Sequence, residues 1–388
     1  MRTLFVTVDP AFPPISGADL RSWQNVKAAS DLGPVLLLSI DPPGPGVAPP
    51  GIEIGHITGM SASDIWRSDF DVVYSAETIG QLCSIAANFQ PDVIVFESLP
   101  LTNLVNFVRN YTRALVIDLH NIESDLMAQE IEFTRDRNTR RASEIRSGRL
   151  RSLEKIAAEV ADVLWVCSPE DHDRIVNDGV AGQNRIFIVP NGVPRSETIQ
   201  ERPPYTEYCA QPILLFIGHL RYPPNIEAAL LLIQLMPRLW DRIAGARLIL
   251  AGRDPHPLIM SGAQAGKIDI IANPSSTSPF LSTAHLAVMP LLRGGGTRIK
   301  VLEAIAWGLP VVATARAIEG LQLKNGMHVR VAETTSAFIA AICDLCENPA
   351  AYESQRAAAR TYVMSNYGPE AIRRATHAGL QFAFDRKR

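Results

Sequence analysis

"PLLRGGGTRIKVLEAIAWGLPVVAT", residues 290–314, combines a glycine turn, two cations and one carboxylate within an otherwise apolar stretch. The apolar residues before the turn predict a buried strand, and three consecutive glycines let the backbone come close to another group. A helix is predicted from about Thr297, and the apolar run at 310–314 predicts a second strand. The stretch is therefore typical of one β-α-β unit in a parallel sheet.

The predicted helix has cations at the end where the helix dipole disfavours them. Arg298 and Lys300 would each cost roughly 0.3–1 kcal/mol there unless an anion is present. A phosphate would pair with both and accept hydrogen bonds from the amides of Gly295 to Thr297, so the stretch predicts an anion site. In the alternative interpretation, both cations extend into solvent.

Glu303 follows on the same predicted helix face as Thr297 and Lys300, and this polar stripe is expected to face away from the sheet. At one nucleoside's reach from a phosphate, its carboxylate could accept both hydroxyls of a ribose. An exposed helical glutamate fits the spacing equally well.

The rest of the chain shows the same alternation of short Val-, Ile- and Leu-rich runs with helical segments. At roughly 100–200 residues per domain, 388 residues suggest two α/β domains, with a cleft expected between them. The stretch 190–212 lacks either periodicity and is predicted to be a linker. The predicted division is an N-terminal domain at 1–194, a C-terminal domain at 195–368 and a final helix at 369–388 that packs back on the N-terminal domain.

Composition excludes several function classes. A formal net charge of -3 gives no electrostatic excess that would favour nucleic acid. Five cysteines do not form a disulfide framework, and Cys343 and Cys346 lie in an amphipathic segment that predicts core packing. No apolar run approaches the ~18–20 residues of a membrane span, so a cytoplasmic protein is expected.

Other phosphate and metal motifs fail on their pattern. Ile299 stands where a dinucleotide GxGxxG needs its third glycine, and no GxxxxGK[ST] occurs. Two DxD tripeptides, at 69–71 and 171–173, match a short acidic motif that can bind a metal. The first adjoins a strand-like run and the second suits the first turn of a helix, so neither is predicted to bind a metal.

The segment 290–321 resembles the nucleotide-binding segment of family 4 glycosyltransferases of the GT-B fold, in a subgroup written roughly GGGTRxKxLEAxAxGxPVV. The resemblance extends over nearly the whole chain. It includes "PPISGADLRSW" (13–23), "VIDLHNIES" (116–124), "VCSPEDHDRI" (166–175), "VPNGV" (189–193) and "FIGHLRYPPNIEAA" (216–229).

The resemblance implies a fold of two Rossmann-like domains and transfer of a sugar, with retention, from a nucleoside diphosphate donor held mainly by the C-terminal domain. It implies no metal or other cofactor, and a glycan, lipid-linked or small-molecule acceptor. Glu303 matches the ribose-binding glutamate and His120 the histidine near the transferred sugar; these two are the candidate catalytic residues. The candidate donor-binding residues are Gly17, His219, Arg221, Gly294, Gly295, Gly296, Thr297, Arg298, Lys300 and Glu303.

The chain departs from the family pattern at the sugar and diphosphate positions. Gly295 replaces a glutamate that usually holds the transferred sugar, and His219 and Asn225 replace an arginine and a lysine that hold the diphosphate, with Arg221 nearby. We infer that Arg298 and Lys300 take over the phosphate role. These departures keep open a catalytically silent nucleotide-sugar-binding or partner subunit, and a sugar-nucleotide epimerase is a third hypothesis.

The arginine-rich segment 134–155 suggests contact with anionic lipid or with an anionic lipid-linked acceptor. Such contact would place the protein peripherally at the inner face of a membrane. A solvated helix is the equally compatible alternative, because interfacial aromatic residues are scarce.

Overall fold

The chain forms two compact units in a computed structural model that describes residues 1–42, 46–57, 72–134, 136–200, 202 and 210–386. Unit 1 consists of Met1–Gly192 together with Pro369–Arg388, and unit 2 of Val193–Gly368. The division predicted from the sequence had its boundaries at 194/195 and 368/369. Each unit contains one parallel β-sheet flanked by helices.

Thirteen strands in the described residues form the two sheets. Unit 1 has seven, in the order β3-β2-β1-β4-β5-β6-β7, and unit 2 has six, in the order β10-β9-β8-β11-β12-β13. Their bounds are β1 Thr3–Thr7, β2 Val35–Ser39, β3 Ile52–His56, β4 Val93–Glu97, β5 Ala114–Asp118, β6 Val163–Val166, β7 Ile186–Ile188, β8 Ile213–His219, β9 Arg247–Arg253, β10 Ile268–Ala272, β11 Leu286–Met289, β12 Val311–Ala313 and β13 Arg330–Val331.

α-Helices connect most of the strands that follow one another along the chain, as expected for parallel strands, which need crossover connections. They are α1 Gly17–Ser30, α2 Ala76–Phe89, α3 Glu123–Phe133, α4 Arg137–Val160, α5 Pro169–Asn177, α6 Pro223–Trp240, α7 Pro257–Met260, α8 Ser278–Thr283, α9 Ile299–Ala306, α10 Thr335–Glu347, α11 Pro349–Tyr367 and α12 Pro369–Asp385.

Unit 1 buries both faces of its sheet, as expected for parallel strands covered by helices on two sides. Alternate residues of β1 separate accordingly: Phe5 joins the apolar cluster that contains Trp165 and Leu380, whereas Leu4 and Val6 join the cluster on the opposite face. Leu380 lies on α12, which packs against α1. The last helix is thus part of the unit 1 core.

Unit 2 reverses its strand order between β8 and β11. From β8 the chain adds β9 and β10 on one side, and from β11 it adds β12 and β13 on the other. In such a sheet the loops at the carboxyl ends of the two central strands diverge and leave a crevice, which is where ligands bind in open α/β folds. The loops concerned connect β8 to α6 and β11 to α9, so the stretch that opened the sequence analysis borders this crevice.

Several details differ from the sequence-based prediction. The short strands β3 and β13 were not predicted, since each carries only two or three apolar residues. The segment predicted as a helix near Leu101 is a 3-10 helix, Leu99–Tyr111. The helix expected near Ile65 and the tripeptide at 69–71 fall outside the described residues. Cys343 and Cys346 are buried on α10.

Candidate functional site

Two glycines shape the carboxyl ends of β8 and β9. Gly218 and Gly252 are partners in the strand register. A methyl group on Gly252 would lie 1.7 Å from the carbonyl oxygen of Gly218, and one on Gly218 would lie 2.8 Å from Nζ of Lys300. Position 252 therefore requires glycine, because the backbone of β8 occupies the space that a side chain would need, whereas the glycine at 218 leaves room for the lysine amine.

Lys300 extends from the first turn of α9 to the start of α6. Its Nζ donates a hydrogen bond of 2.6 Å to Oδ1 of Asn225 and lies 4.7 Å from the ring centroid of the buried Phe216. Asn225 is buried and its Nδ2 donates to the carbonyl oxygen of His219 at 2.9 Å. One lysine amine thus connects the two loops that border the crevice.

This amine lies in a positive environment. Burial, and secondarily Arg298, lower the pKa of Lys300 to about 7. Within the described residues, neither α6 nor α9 has an acidic residue in its first turn or a side-chain N-cap hydrogen bond. The positive start of α9 and a cation with no carboxylate partner among the described residues favour an anion at this point. The start of α6 adds only its dipole, because Pro223 and Pro224 have no N–H and the amides of Asn225 and Ile226 donate to the carbonyl oxygen of Tyr222.

Arg298 does not extend toward solvent or toward the crevice as expected. Its guanidinium is buried and donates to the carbonyl oxygens of Gly294 (2.6 Å), Gly295 (2.7 Å) and Gly296. Gly294 and Gly296 have φ values of 125° and 60°, which favour glycine. The prediction that Arg298 pairs directly with a phosphate is corrected, because its side chain is used to fold the glycine loop.

The glycine loop in turn directs its amides. In a trans peptide the C=O and the following N–H point in opposite directions. Because the carbonyl oxygens of residues 294–296 point to Arg298, the N–H groups of Gly295, Gly296 and Thr297 point away from it. Successive N–H groups with one orientation form an anion-binding concavity, so Arg298 can support a phosphate site indirectly.

Glu303 lies on α9, which begins at Ile299 rather than at Thr297. Its side chain is 10% exposed, so the alternative of an exposed glutamate is wrong; Thr297 is buried as well. Burial raises the pKa of Glu303, and Arg195 at 3.5 Å opposes the shift. A buried carboxylate with one long contact can accept hydroxyl donors of a ligand.

The other predicted donor-binding residues have surroundings unlike those of Lys300 and Glu303. His219 is exposed at the end of β8, and burial together with Arg253 lowers its pKa. Arg221 is exposed and pairs with both carboxylate oxygens of Asp254, at 2.9 and 3.0 Å. Gly17 begins α1, whose first turn has a capping box of Ser16 and Asp19. An acid in that position makes the start of α1 less suited to an anion than that of α9.

In unit 1, His120 follows β5 and lies in a polar network at the carboxyl ends of β4 and β5. Its Nε2 is 3.0 Å from Oε2 of Glu97 and 3.7 Å from Oδ2 of Asp118. Arg21 of α1 donates to both carboxylate oxygens of Asp118, at 2.6 and 2.8 Å. Although burial opposes it, the hydrogen bond with His120 lowers the pKa of Glu97, so this glutamate is a charged acceptor that orients the imidazole.

The carboxylates of Glu97, Asp118 and Asp171 in unit 1 already have protein partners. Glu97, Asp118 and His120 place their potential ligand atoms within 4.8 Å of one another, but the guanidinium of Arg21 already neutralises Asp118. Asp171, in the tripeptide at 171–173, accepts from Ser168 at 2.8 Å and from Arg174 at 3.2 Å. These donors fit a structural network better than a metal site.

Sequence reasoning missed several residues of these sites. Gly218 and Gly252 share a position near the ends of neighbouring strands, which was a usable signal. Glu97 likewise ends a buried strand, as Asp118 does. No local sequence pattern pointed to Arg195, because its contact partner Glu303 lies 108 residues further along the chain.

Comparison with known proteins gives a family for unit 2. Residues 211–348 match the family model described as Glycosyl transferases group 1. A comparison with curated protein sequences found no match.

Solved structures resemble the whole chain. Sucrose-phosphate synthase (tll1590) from Thermosynechococcus elongatus has a TM-score of 0.73 at 17% identity, covering 98% of each chain. Anabaena Alr3699/HepE in complex with UDP has a TM-score of 0.68 at 12% identity, covering 98% of this chain and 100% of its own. A TarM variant from S. aureus, in complex with Fondaparinux, alpha-GlcNAc-glycerol and UDP, has a TM-score of 0.72 at 12% identity over 100% of both chains.

The chain therefore has the GT-B fold, and its unit 2 carries a glycosyl transferase group 1 domain. The family match and the fold together support a glycosyltransferase.

The lowered pKa of Lys300 predicts how stability depends on pH without ligand. Between about pH 7 and its ordinary value of 10.5, the unfolded state holds a proton that the folded state has lost, so stability rises with pH. Urea unfolding at pH 7, 8, 9 and 10 should show the free energy of unfolding of the wild type rising relative to Lys300→Met by up to about 1.4 kcal/mol per pH unit. Lys267→Met, which removes an exposed lysine, is the control. A difference that stays constant with pH would show that the amine is not destabilised by its surroundings.

Proposed function

We propose that the chain is a retaining glycosyltransferase that moves a sugar from a nucleoside diphosphate donor to a glycan, lipid-linked or small-molecule acceptor without a metal. The observation that carries this proposal is the placement of Lys300 at the strand-order reversal of unit 2, between the first turns of α6 and α9 and beside Gly218. These features favour a diphosphate group at that place.

UDP is the first nucleotide to test, because the HepE and TarM structures are complexes with UDP. In the proposed complex the diphosphate binds the amine of Lys300 and the amides of Gly295 to Thr297. Glu303 accepts the ribose hydroxyls. Arg195, 3.5 Å from that carboxylate, would then help to hold it in place.

The chemistry uses fixed charges. In the proposed reaction, the bond between the sugar C1 and the diphosphate oxygen breaks, a bond forms from C1 to an acceptor oxygen, and the acceptor hydroxyl passes its proton to the departing diphosphate. Negative charge develops on that diphosphate in the transition state. A lysine amine and the N-terminus of α9, already in position, can stabilise this charge with little reorganisation, and this supports the proposal that no metal is needed.

His120 would act on the sugar, as the family resemblance implies. Its Nε2 is engaged by Glu97, so its Nδ1 is the nitrogen that would meet the substrate. The imidazole can serve as a general acid or base, or as a hydrogen-bond donor to a sugar hydroxyl.

Glu303→Gln should abolish recognition of the ribose while leaving the fold intact. Titration calorimetry with EDTA present should show wild type binding UDP about tenfold or more tightly than 2′-deoxy-UDP, since a hydrogen bond to a charged group contributes about 1.5–3 kcal/mol. Glu303→Gln should bind both weakly and nearly equally. Its thermal midpoint should stay close to that of the wild type, because burial already disfavours the charged carboxylate.

The control is Glu347→Gln, which changes an exposed glutamate of the same unit. If UDP does not bind, GDP, ADP and TDP are the next probes. If none of the four binds at millimolar concentration, the nucleotide site is disproved. Binding without turnover of any donor would instead favour the silent subunit that Gly295 suggests.

His120→Ala should separate catalysis from donor binding. We expect the rate of sugar transfer, or of donor hydrolysis, to fall about 10²–10⁴-fold if His120 transfers a proton, and less if it only donates a hydrogen bond. UDP affinity should be unchanged. Proton NMR of the wild-type product should show the anomeric configuration of the donor; an inverted product would disprove retention. An unaltered rate in His120→Ala would remove His120 from the mechanism.

We also propose peripheral contact of α4 with an anionic membrane or lipid-linked acceptor. Arg137, Arg140, Arg141 and Arg149 are exposed, as are the apolar Phe133 and Ile145. None of the helices in the described ranges combines the length and the apolar character that a membrane span requires. Any contact through these helices would therefore be with the membrane surface.

Sedimentation with phosphatidylglycerol vesicles should detect this contact. Replacing Arg140, Arg141 and Arg149 by glutamine should weaken binding by roughly 1 kcal/mol per charge removed. A variant with glutamine at the exposed Arg238, Arg242 and Arg374 has the same net charge and should bind like the wild type. Equal losses in both variants would indicate attraction by overall charge and not by α4.

A further inference from the structure

We propose that Asn225 is a positioning residue for the donor diphosphate, because its side-chain amide holds the amine of Lys300 in the crevice between α6 and α9. The inference rests on the proposed function and makes it more specific. In this arrangement α9 supplies the lysine that binds the phosphate, and α6 supplies the asparagine that holds the lysine in place.

The orientation of the amide is fixed by its partners. Nδ2 of Asn225 donates to the carbonyl oxygen of His219 at 2.9 Å, and a carbonyl can only accept. Oδ1 must therefore face the other way, where it accepts from Nζ of Lys300 at 2.6 Å. The backbone N–H of Asn225 also donates to the carbonyl oxygen of Tyr222, at 2.9 Å, which ties the residue to the start of α6.

The surroundings leave the lysine amine one favourable position. Phe216 lies beneath it, with the ring centroid 4.7 Å from Nζ. Gly218 lies beside it, and a methyl group there would be 2.8 Å from Nζ and 2.9 Å from Nδ2 of Asn225. A neutral acceptor is suited to this place, because it fixes the amine without cancelling the charge that a diphosphate would bind. An aspartate would fix it equally well but would neutralise it.

This arrangement also accounts for the departure at position 225 from the family pattern. A lysine at 225 would bring a second ammonium into the space that Lys300 occupies, and the two charges would repel. With the cation supplied by α9, position 225 needs an acceptor, and asparagine provides one.

The first test needs no nucleotide. The chain has only six lysines, so in protein labelled with ¹³C-lysine the Cε signal of Lys300 is identified by its loss in Lys300→Met. We expect Asn225→Asp to move the titration midpoint of Lys300 upward by more than one pH unit, and Asn225→Ala to move it downward. Titrations that coincide in the wild type and both variants would overturn the proposal, because the contact would then not exist in solution.

The second test measures ligand affinity by calorimetry in the same proteins, with UDP and uridine as probes. Asn225→Ala and Asn225→Asp should each lose tenfold or more in affinity for UDP and leave uridine affinity unchanged, since only the diphosphate meets Lys300. Asn366→Ala, an exposed asparagine on α11, is the matched control and should bind like the wild type. A purely structural role would weaken both ligands alike or neither.

The outcomes separate the two hypotheses. If the wild type binds UDP but Asn225→Ala binds it as tightly, the positioning role is wrong and the proposed function stands. If the wild type binds neither UDP nor GDP, ADP or TDP, the proposed function falls, and Asn225 is left with a structural contact to Lys300 and no positioning role.

Discussion

The amine of Lys300 imposes more constraints on unit 2 than any other single group of the candidate site. A side chain at residue 218 of β8 would crowd its contact with Asn225, and β8 can approach β9 this closely only because β9 carries no side chain at residue 252. Two adjacent glycines in a central sheet weaken it, as each forgoes packing and adds chain entropy to the unfolded state. A sheet that tolerates both gains space for a cation and a ligand at the strand-order reversal.

Unit 1 has the same topology around β1 and β4 but the opposite electrostatics. There the strand ends carry carboxylates, Glu97 and Asp118, and the cation comes from α1 as Arg21. Asp118 is already paired with Arg21 within unit 1, and the side chain of Asp19 caps the start of its own helix, α1. The first helix of unit 1 therefore offers little to an anion, whereas α9 of unit 2 offers more. The same fold thus carries chemically different residues at the strand ends of its two units.

The sequence predicted the large features because they depend on periodicity. Eleven of the thirteen strands were anticipated, and β3 and β13 were missed because they are too short and too polar to give a pattern. Lys300 and Glu303 were identified from local spacing along one helix. The contacts of Lys300 with Asn225, and of Glu303 with Arg195, join residues 75 and 108 positions apart, and no local rule gives such pairs. The predicted direction of the Arg298 side chain was wrong for a related reason. Its guanidinium binds the carbonyl oxygens of the glycine loop, and these converge on it only in the folded conformation of the glycines.

Arg298 and Lys300 show how two neighbouring cations can serve one anion site by different routes. If both faced a phosphate directly, their repulsion would have to be overcome whenever the site was empty. Arg298 instead neutralises three carbonyl dipoles of the glycine loop, which directs the three following amides away from it, so its charge is balanced in the absence of a ligand. Burial and, secondarily, Arg298 lower the pKa of Lys300 to about 7, so the unfavourable charge lies on this amine. In the proposed site, the cost of the state without ligand would thereby fall on one side chain, while the glycine loop and the start of α9 would already suit a diphosphate.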